Sequence, residues 1–275
     1  MSGNAIEESA QRPTALITGA SGGIGLDLAR LLAESGHDVV LVARSAAKLE
    51  ELARDLSGRH GVRCEVLAAD LARPEGVEAV VAGVEQRGMA VDVLVNNAGF
   101  GLWGEFAETD LAKELEMIQL NIATLTGLTK RFLPGMLQRK RGRVLNVAST
   151  AAFQPGPLMA VYFATKAYVL SFSEAIANEL AGTGVTVTVL CPGPTETGFV
   201  AAAKMEESNL FKSVKPMGSL EVARRGLQGL IAGKRVVVPG LLNRVMAFFA
   251  SFVPRRLLTA IVRRMQERVR PTATR

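Results

Sequence analysis

The residues with the clearest chemical potential are Tyr162 and Lys166, which lie four positions apart within 161–167. On a helix this spacing places both side chains on one face, one turn apart. A tyrosine hydroxyl has a free pKa of about 10, and a lysine ammonium beside it favours the phenolate and lowers that pKa. Such a tyrosine can exchange a proton with an alcohol or a ketone. An ordinary amphipathic helix with a tyrosine and a surface lysine can show the same spacing. The rest of the sequence is therefore needed to distinguish a catalytic pair from ordinary helix residues.

A glycine-rich turn follows the first apolar segment of the chain. Thr14–Thr18 is a predicted strand, and the turn 19–25 leads into a helical pattern that carries Leu28, Leu31 and Leu32 on one face. In a strand–turn–helix context, glycines let the backbone approach a pyrophosphate, and the helix N-terminus offers free N–H groups. The spacing G-x-x-x-G-x-G differs from the usual G-x-G-x-x-G. A plain flexible turn is the alternative.

The second predicted strand, 38–42, ends at Ala43, Arg44 and Ser45. Sites that select NAD place a carboxylate at the end of this strand to bind the ribose 2′-hydroxyl, and none is present here. Arg44 instead offers a planar cation suited to a 2′-phosphate, and Ser21 could contact the same phosphate. This pattern predicts NADP(H) as the cofactor. A surface arginine without a ligand is the alternative.

Strands and helices alternate through most of the chain, which predicts an α/β fold with a doubly wound parallel sheet in three α/β/α layers, a Rossmann fold. Further strands are predicted at 63–68, 91–95, 143–147 and 186–190, and further helices at 46–56, 75–87 and 111–137. Ligands bind beyond the carboxyl ends of strands in such sheets, and Ser149 lies at one of these ends. Asn121 falls inside the long helical stretch, where asparagine is unfavourable, and an ordinary surface or helix-contact asparagine is the alternative.

Composition excludes several classes of function. Cys64 and Cys191 lie far apart, and the two histidines, His37 and His60, fall in predicted loops. The chain therefore offers no disulfide framework and little material for a histidine metal site or a Ser-His-Asp triad. The first residues lack the apolar core of a secretory signal, and no uncharged apolar run is long enough for a membrane span. We expect a cytoplasmic protein that binds no metal.

The net charge of +6 arises at one end of the chain. Residues 246–275 contain seven arginines and one glutamate, and the other residues sum to zero. Nucleic-acid-binding proteins distribute basic charge over the fold, so we expect no nucleic-acid partner. Apolar residues recur with a helical period from Leu241 to Pro254, and again from Leu257 to Met265. These basic amphipathic helices would either dock on a membrane surface or at the substrate entrance, or pack on the domain or a sister subunit.

Together these residues resemble the short-chain dehydrogenase/reductase family over about two-thirds of the chain, residues 15–198. The motifs that carry the resemblance are 18–25, 96–99, Asn121, Ser149, Tyr162 with Lys166, and Pro192 with Gly193. The resemblance implies an NADP(H)-dependent oxidoreductase that interconverts a carbonyl and a secondary alcohol by hydride transfer. It implies that Tyr162 is the acid/base, that Lys166 lowers the Tyr162 pKa and bonds the nicotinamide ribose, and that Ser149 donates to the substrate oxygen. Asn121 would hold a water behind Lys166.

The resemblance also implies a set of cofactor-binding residues: Gly19, Ser21, Gly23, Ile24, Gly25, Arg44, Asp70, Leu71, Asn97, Ala98, Gly99, Tyr162, Lys166, Pro192, Gly193 and Thr195. Within this set, Asp70 and Leu71 would flank the adenine and Thr195 would meet the carboxamide. A catalytically silent dinucleotide-binding sensor or scaffold of the same fold is the alternative. The intact catalytic positions disfavour that alternative.

The chain is predicted to divide into a disordered lead-in at 1–12, a single dehydrogenase domain at 13–240 and a helical tail at 241–275. The apolar segment 199–218, a loop or short helices, lies where the family places its variable substrate lid. Its side chains favour a hydrophobic substrate, such as a ketone, a 3-oxoacyl compound or a steroid, unless they pack on the core or a second subunit. Apolar residues lie on more than one face of 111–137 and 162–180, including Met117, Leu125, Leu128, Phe163, Val169 and Phe172. They predict a homodimer or homotetramer, unless the basic tail covers this surface.

Overall fold

The computed structural model describes residues 12–199, 203, 215–250 and 252–267. Its strands, in chain order, are β1 Thr14–Thr18, β2 Asp38–Ala43, β3 Cys64–Ala68, β4 Val91–Asn96, β5 Gly142–Val147, β6 Val185–Leu190, β7 Thr195–Glu196, β8 Met217–Gly218 and β9 Val236–Val237. Seven of these strands form a parallel sheet in the order β3-β2-β1-β4-β5-β6-β9, and β7 pairs with β8 separately.

Helices cover this sheet and continue beyond it. Within the described part of the chain they are α1 Gly23–Glu34, α2 Ala46–His60, α3 Glu75–Gln86, α4 Leu111–Ile118, α5 Leu125–Gln138, α6 Ala160–Glu179, α7 Ser219–Ile231, α8 Leu241–Ala250 and α9 Arg255–Gln266. A π-helical segment, Gln119–Thr124, joins α4 to α5, and a 3₁₀ turn, Thr150–Phe153, precedes α6.

The core lies in two layers, one on each face of the sheet. Strand β1 is buried along its whole length, as expected of a parallel strand with helices on both sides. Leucines of α1 and α2 form the apolar cluster on one face, and valines of α3 with residues of α5 form the cluster on the other. The predicted three-layer, doubly wound fold is confirmed.

Strand β1 is the position at which the strand order of the sheet reverses. It pairs in parallel with β2 on one side and with β4 on the other. Connections therefore leave this point in opposite directions, and a crevice forms beyond the carboxyl ends of β1 and β4. The residues predicted to do chemistry follow this sheet edge.

Two predicted helices differ from the observed ones. The helix predicted at 46–56 continues to His60, and it ends where Gly61 adopts a left-handed φ of 63°. The stretch 111–137 is not one regular helix, because the π-helical segment Gln119–Thr124 interrupts it. The apolar periodicity of the sequence did not show this insertion.

The predicted lead-in and most of the predicted lid lie outside the described residues, including Met205, Leu210, Phe211 and Val214. Arg12, assigned to the lead-in, is described, and its guanidinium donates to the carbonyl of Gly61. From the lid, Phe199 and Ala203 join the apolar cluster that contains Tyr162.

The apolar residues that suggested an outer interface are mostly part of the subunit's own core. Met117, Leu125, Leu128, Phe163 and Val169 are all buried. The same helices expose a different set of apolar side chains: Leu111, Leu115, Ile118 and Tyr168. A subunit interface on these helices would use that second set.

The tail forms the two predicted helices, separated at Pro254. Helix α8 has no buried residue, whereas α9 buries Leu258, Val262 and Gln266. No helix in the described ranges has the length and apolar content that crossing a bilayer requires.

Candidate active site

A cavity of about 670 Å³ opens at the carboxyl edge of the sheet. Gly19 after β1, Asn97 after β4, Ser149 after β5 and Pro192 after β6 all line it. Because the strands are parallel, residues far apart in sequence reach one edge of the sheet. Helix α6 adds Tyr162 to the same cavity.

Tyr162 is 8% exposed, and its ring packs against Phe199 at a centroid distance of 5.2 Å and against Phe163 at 6.0 Å. Burial raises the pKa of Tyr162 to about 12, and a hydrogen bond with Ser149 opposes that rise. The sequence predicted a lowered pKa. In the structure, the loss of water around a phenolate enclosed by apolar rings outweighs the opposing contributions, so the pKa is raised instead. Tyr162 is therefore protonated at neutral pH.

Lys166 lies one turn after Tyr162, and its Nζ is 5.7 Å from the centroid of the Tyr162 ring. This nitrogen donates a hydrogen bond of 2.9 Å to the carbonyl of Val147, the last residue of β5. Burial lowers the pKa of Lys166 to about 8, although Cys191 nearby opposes the change. A lysine with such a pKa can release a proton as well as carry a charge.

Ser149 is half-buried at the end of β5. Its Oγ accepts a hydrogen bond of 3.1 Å from the backbone N–H of Ala151 and donates to the carbonyl of Pro192 at 3.4 Å. The donated bond is long and therefore weak. The hydroxyl hydrogen can turn at little cost towards an acceptor in the cavity.

Asn121 lies in the π-helical segment and is 2% exposed. Its Nδ2 donates bonds of 3.0 Å to the carbonyl of Phe100 and to Oγ1 of Thr165, and its Oδ1 accepts from the N–H of Phe100 at 3.2 Å. The amide thus ties the loop after β4 to α6, one residue before Lys166. The predicted role of Asn121, to hold a water behind Lys166, stays a prediction.

The turn between β1 and α1 brings the backbone unusually close to its neighbours. Gly19 and Gly23 adopt left-handed φ values of 68° and 55°. A Cβ on Gly25 would lie 2.4 Å from both the Nδ2 of Asn97 and the carbonyl oxygen of Gly19. The N–H groups in the first turn of α1 have no intrahelical acceptors. A side-chain-free cradle beside a helix N-terminus fits a dinucleotide pyrophosphate.

The structure brings most of the predicted cofactor-binding residues to this cavity. Those that line it are Gly19, Ser21, Gly23, Ile24, Asn97, Ala98, Gly99, Tyr162, Lys166, Pro192, Gly193 and Thr195. Gly25 supports the turn from behind. Gly99 lies against two catalytic candidates, because a Cβ there would be 2.9 Å from Asn121 Oδ1 and 3.5 Å from Lys166 Nζ.

Besides Gly25, three predicted cofactor residues do not line the cavity: Arg44, Asp70 and Leu71. Arg44 follows β2 and Asp70 follows β3, so both are exposed at the same sheet edge, one and two strands from β1. Leu71 is 4% exposed in the core, and its carbonyl accepts a bond of 2.7 Å from Thr124 Oγ1. The Leu71 side chain is therefore part of the apolar core.

Helices α8 and α9 form the wall that faces the strand ends. Leu258 and Val262 of α9 pack in the apolar cluster of Tyr162. The Nε1 of Trp103 donates to the carbonyl of Gln266 at 2.9 Å, and Arg263 pairs with Glu105 at 2.6 Å. Helix α9 therefore packs on the domain, next to the cavity, which is one of the arrangements that the sequence left open for the tail.

Several cavity residues were missed from the sequence: Phe153, Met159, Leu242, Met246, Phe249, Leu258, Ile261, Val262 and Met265. Gln266 also lines the cavity, is 3% exposed, and has no hydrogen-bond partner for its Oε1 among the described residues. The helical period of the tail was the available signal. It identifies an apolar face without showing what that face covers.

Comparisons with known proteins agree with this geometry. The sequence model of the short chain dehydrogenase family matches residues 13–208. A very-long-chain 3-oxoacyl-CoA reductase of Anas platyrhynchos is 32% identical over 93% of this chain and 80% of its own length. A short-chain dehydrogenase of Sphingobium yanoikuyae in complex with NADPH is 33% identical, with a TM-score of 0.77 over 88% of this chain and 97% of its own. A structure from work on 7β-hydroxysteroid dehydrogenase stereoselectivity is 26% identical, with a TM-score of 0.82 over 91% and 96% of the two chains.

The family match covers well over half of the chain and includes the glycine turn, Ser149, Tyr162 and Lys166. The protein belongs to the short chain dehydrogenase family. It is an oxidoreductase of that family, as the sequence motifs predicted.

Proposed function

We propose that the protein is an NADP(H)-dependent carbonyl reductase for hydrophobic substrates, with Tyr162 as the proton donor. The observation that carries this proposal is a buried, protonated tyrosine hydroxyl beside Ser149, in a cavity with the glycine cradle at one end and apolar helices along one wall. A proton donor, a hydrogen-bond donor to the substrate oxygen and a nucleotide-binding turn can take part in one reaction only when they line the same cavity.

The chemistry divides among three side chains. A nicotinamide cofactor supplies or accepts the hydride when it is bound. The hydroxyls of Tyr162 and Ser149 donate hydrogen bonds to the substrate oxygen and stabilise the negative charge that develops on it. Tyr162 then transfers its proton to that oxygen, and the Lys166 ammonium stabilises the phenolate that remains. Because burial raises the pKa of Tyr162, its hydroxyl holds the proton that carbonyl reduction requires.

The cofactor would be held along the sheet edge. Gly19 and Gly23 would accept the pyrophosphate, Gly25 would support their turn from behind, and the residues after β4 and β6 would contact the ribose and carboxamide. Arg44 would bind the 2′-phosphate, since it is exposed after β2 and has no carboxylate beside it. One such charge-assisted contact contributes about 1.5–3 kcal/mol. The NADPH in the Sphingobium relative supports the same preference.

The substrate is inferred from the walls of the cavity. Met159, Phe199, Phe249 and Val262 are among its lining side chains. These apolar walls favour a ketone, a 3-oxoacyl compound or a steroid over a sugar or a charged acid. The names of two relatives, a 3-oxoacyl-CoA reductase and a hydroxysteroid dehydrogenase, support this class. Gln266 is a polar exception, and a substrate hydroxyl or amide would give its Oε1 a partner.

The first test is turnover on a panel of ketosteroids, alkyl ketones and 3-oxoacyl thioesters with NADPH or NADH. We expect Tyr162→Phe to bind the dinucleotide normally and to lose at least ~10²-fold in turnover. Tyr168→Phe is the matched control, because Tyr168 lies two residues after Lys166 but is exposed and bonded to Thr126. Near-normal turnover by Tyr162→Phe would refute the assigned acid. Equal affinity for the two dinucleotides would refute the role of Arg44.

We also infer a homodimer or homotetramer, built on the exposed apolar residues of α4 and α6. Leu111 is 69% exposed and Leu115 is 55% exposed, one helical turn apart. Tyr168 stacks on Phe172 with ring centroids 5.7 Å apart, which offers a flat aromatic surface on α6. Light scattering that shows a monomer at micromolar concentration would contradict this.

A further inference from the structure

Helix α8 and the turn that follows it carry two apolar stripes with different surroundings. Leu242, Met246, Phe249 and Val253 recur at helical spacing and line the cavity. The neighbouring positions Leu241, Val245, Phe248 and Phe252 recur at the same spacing but do not line it. We call this second set the outer stripe. Its members are 73%, 43%, 62% and 70% exposed.

The outer stripe is a continuous apolar surface. The rings of Phe248 and Phe252 lie 5.2 Å apart, and those of Phe248 and Phe249 lie 5.5 Å apart. A lone exposed leucine is normal on a protein surface, but a stripe of four large apolar side chains marks an interaction site. Nothing in the described residues covers it, since α8 has no buried residue.

The charged residues of the segment that carries the outer stripe have one sign. The segment from Leu241 to Gln266 contains five arginines and no aspartate or glutamate. Arg244, Arg255 and Arg256 are exposed, and none has an ion-pair partner within the described part of the chain. A second copy of the chain on the same stripe would bring like charges together, which disfavours a two-fold contact there. An anionic surface would instead be attracted.

The outer stripe is also continuous with the cavity. Leu242, Met246 and Phe249 line the cavity and are at the same time 65%, 45% and 56% exposed. Apolar side chains therefore extend from the protein surface towards the cavity of Tyr162. A protein partner would need no such continuity, whereas a lipid surface that holds an apolar substrate would make use of it.

We propose that α8 docks on the surface of a membrane that contains anionic lipid, with the outer stripe among the acyl chains and the arginines at the headgroups. Aromatic and leucine side chains beside arginines are the composition of helices that lie in this interface. The docking itself stands on the exposed stripe and the arginines, and its continuity with the cavity is meaningful only if the proposed function holds. Only the further step, in which an apolar substrate passes from the lipid into the cavity, rests on the proposed function.

The test is co-sedimentation of the full chain with phosphatidylcholine vesicles, with and without phosphatidylglycerol. Binding should need the anionic lipid and weaken as salt is added. Phe248→Ser/Phe252→Ser should lower the partition coefficient at least ~tenfold. Leu220→Ser/Ile231→Ser is the matched control on α7, where these residues are 40% and 61% exposed, and it should bind like the unmodified protein.

The role of charge has its own pair of variants. Arg244→Gln/Arg255→Gln/Arg256→Gln should lose most of the binding, whereas Arg54→Gln/Arg224→Gln/Lys234→Gln, which removes equal charge elsewhere, should keep it. Dinucleotide binding by each variant checks that the fold is retained. No binding at low salt, or equal loss in the control variants, would overturn the proposal. So would light scattering in which Phe248→Ser/Phe252→Ser dissociates an oligomer, because the stripe would then join two copies of the chain. Sedimentation needs no turnover, so a failed reaction assay leaves this result unaffected.

Discussion

The two walls of the cavity are held in different ways. In the wall formed by strand ends and α6, polar side chains have fixed partners. Lys166 bonds the Val147 carbonyl, and Asn121 makes three hydrogen bonds to Phe100 and Thr165. Buried polar groups that are satisfied in only one arrangement define that arrangement sharply, because any other leaves them unpaired.

The opposite wall relies on apolar contact. Helix α9 buries Leu258 and Val262, Trp103 donates a hydrogen bond to its last turn, and Arg263 forms an exposed ion pair with Glu105. Helix α8 buries nothing completely. Apolar packing tolerates changes of shape better than a polar network does. We therefore propose that the first wall sets the reaction, whereas the second sets which substrates fit and how they enter.

We expect the largest effect from Gly25→Ala, which changes the glycine turn that forms the nucleotide cradle of the first wall. The new Cβ would lie 2.4 Å from the Gly19 carbonyl oxygen, a backbone atom that cannot move freely. We expect dinucleotide affinity to fall at least ~10²-fold, about 2.7 kcal/mol, as measured by calorimetric titration.

Gly22→Ala tests the same motif without the clash. Gly22 has an extended backbone with φ 179°, and a Cβ there would meet nothing within 4 Å. Its affinity should stay within about threefold of the unmodified protein. Similar losses of dinucleotide affinity in both variants would show that glycine occupies these positions because the turn must be flexible, rather than because it packs closely.

Lys166→Met should change how stability depends on pH. The folded pKa of Lys166 is about 8, below the ordinary value of 10.5. Between these values the unfolded chain holds the proton and the folded protein has released it, so Lys166 contributes stability that rises with pH through this window. The raised pKa values of Cys191 and Tyr162 have the opposite effect on stability towards higher pH. The contribution of Lys166 is therefore the difference between the unmodified protein and Lys166→Met, and this difference should approach about 3 kcal/mol. Urea unfolding across that window measures it, with exposed Lys130→Met as the control. Parallel curves for Lys166→Met and the unmodified protein would contradict the lowered pKa.

The first wall was largely predictable from the sequence, and the second was not. Strand ends in a parallel sheet must share an edge, so the chain order of strands and turns was enough to place Ser149 and the glycine turn. Tyr162 was placed correctly, but its pKa was not, because burial depends on rings such as Phe199 that only the folded chain brings near. The tail showed its apolar faces through periodicity. Which face covers the cavity depends on long-range packing, which no local pattern contains.

Leu258→Ala should loosen the second wall while leaving the first intact. Leu258 is 9% exposed beside Tyr162, whereas the adjacent Leu257 is 56% exposed. We expect Leu258→Ala to lower the free energy of unfolding by about 2–3 kcal/mol. Leu257→Ala should lower it by less than about 0.5 kcal/mol. Hydrogen exchange in α9 is the sensitive measurement, because it reports local opening of a helix directly. KM for a hydrophobic substrate should rise with little change in kcat. A fall in kcat alone would show that the two walls are not separable.

The smallest effect should come from the ion pair between Arg263 and Glu105. The two side chains are 44% and 50% exposed, and Arg263 also lies 3.6 Å from Glu267. Water and a second carboxylate both weaken an exposed pair, so its coupling should fall within about 0.2–1 kcal/mol. A double-mutant cycle of Arg263→Gln and Glu105→Gln, read by hydrogen exchange in α9, measures this coupling. Apolar packing predicts that α9 stays in place in all three variants. A coupling well above that range, or release of α9 by Arg263→Gln alone, would mean that charge positions the second wall, and the contrast between the two walls would then disappear.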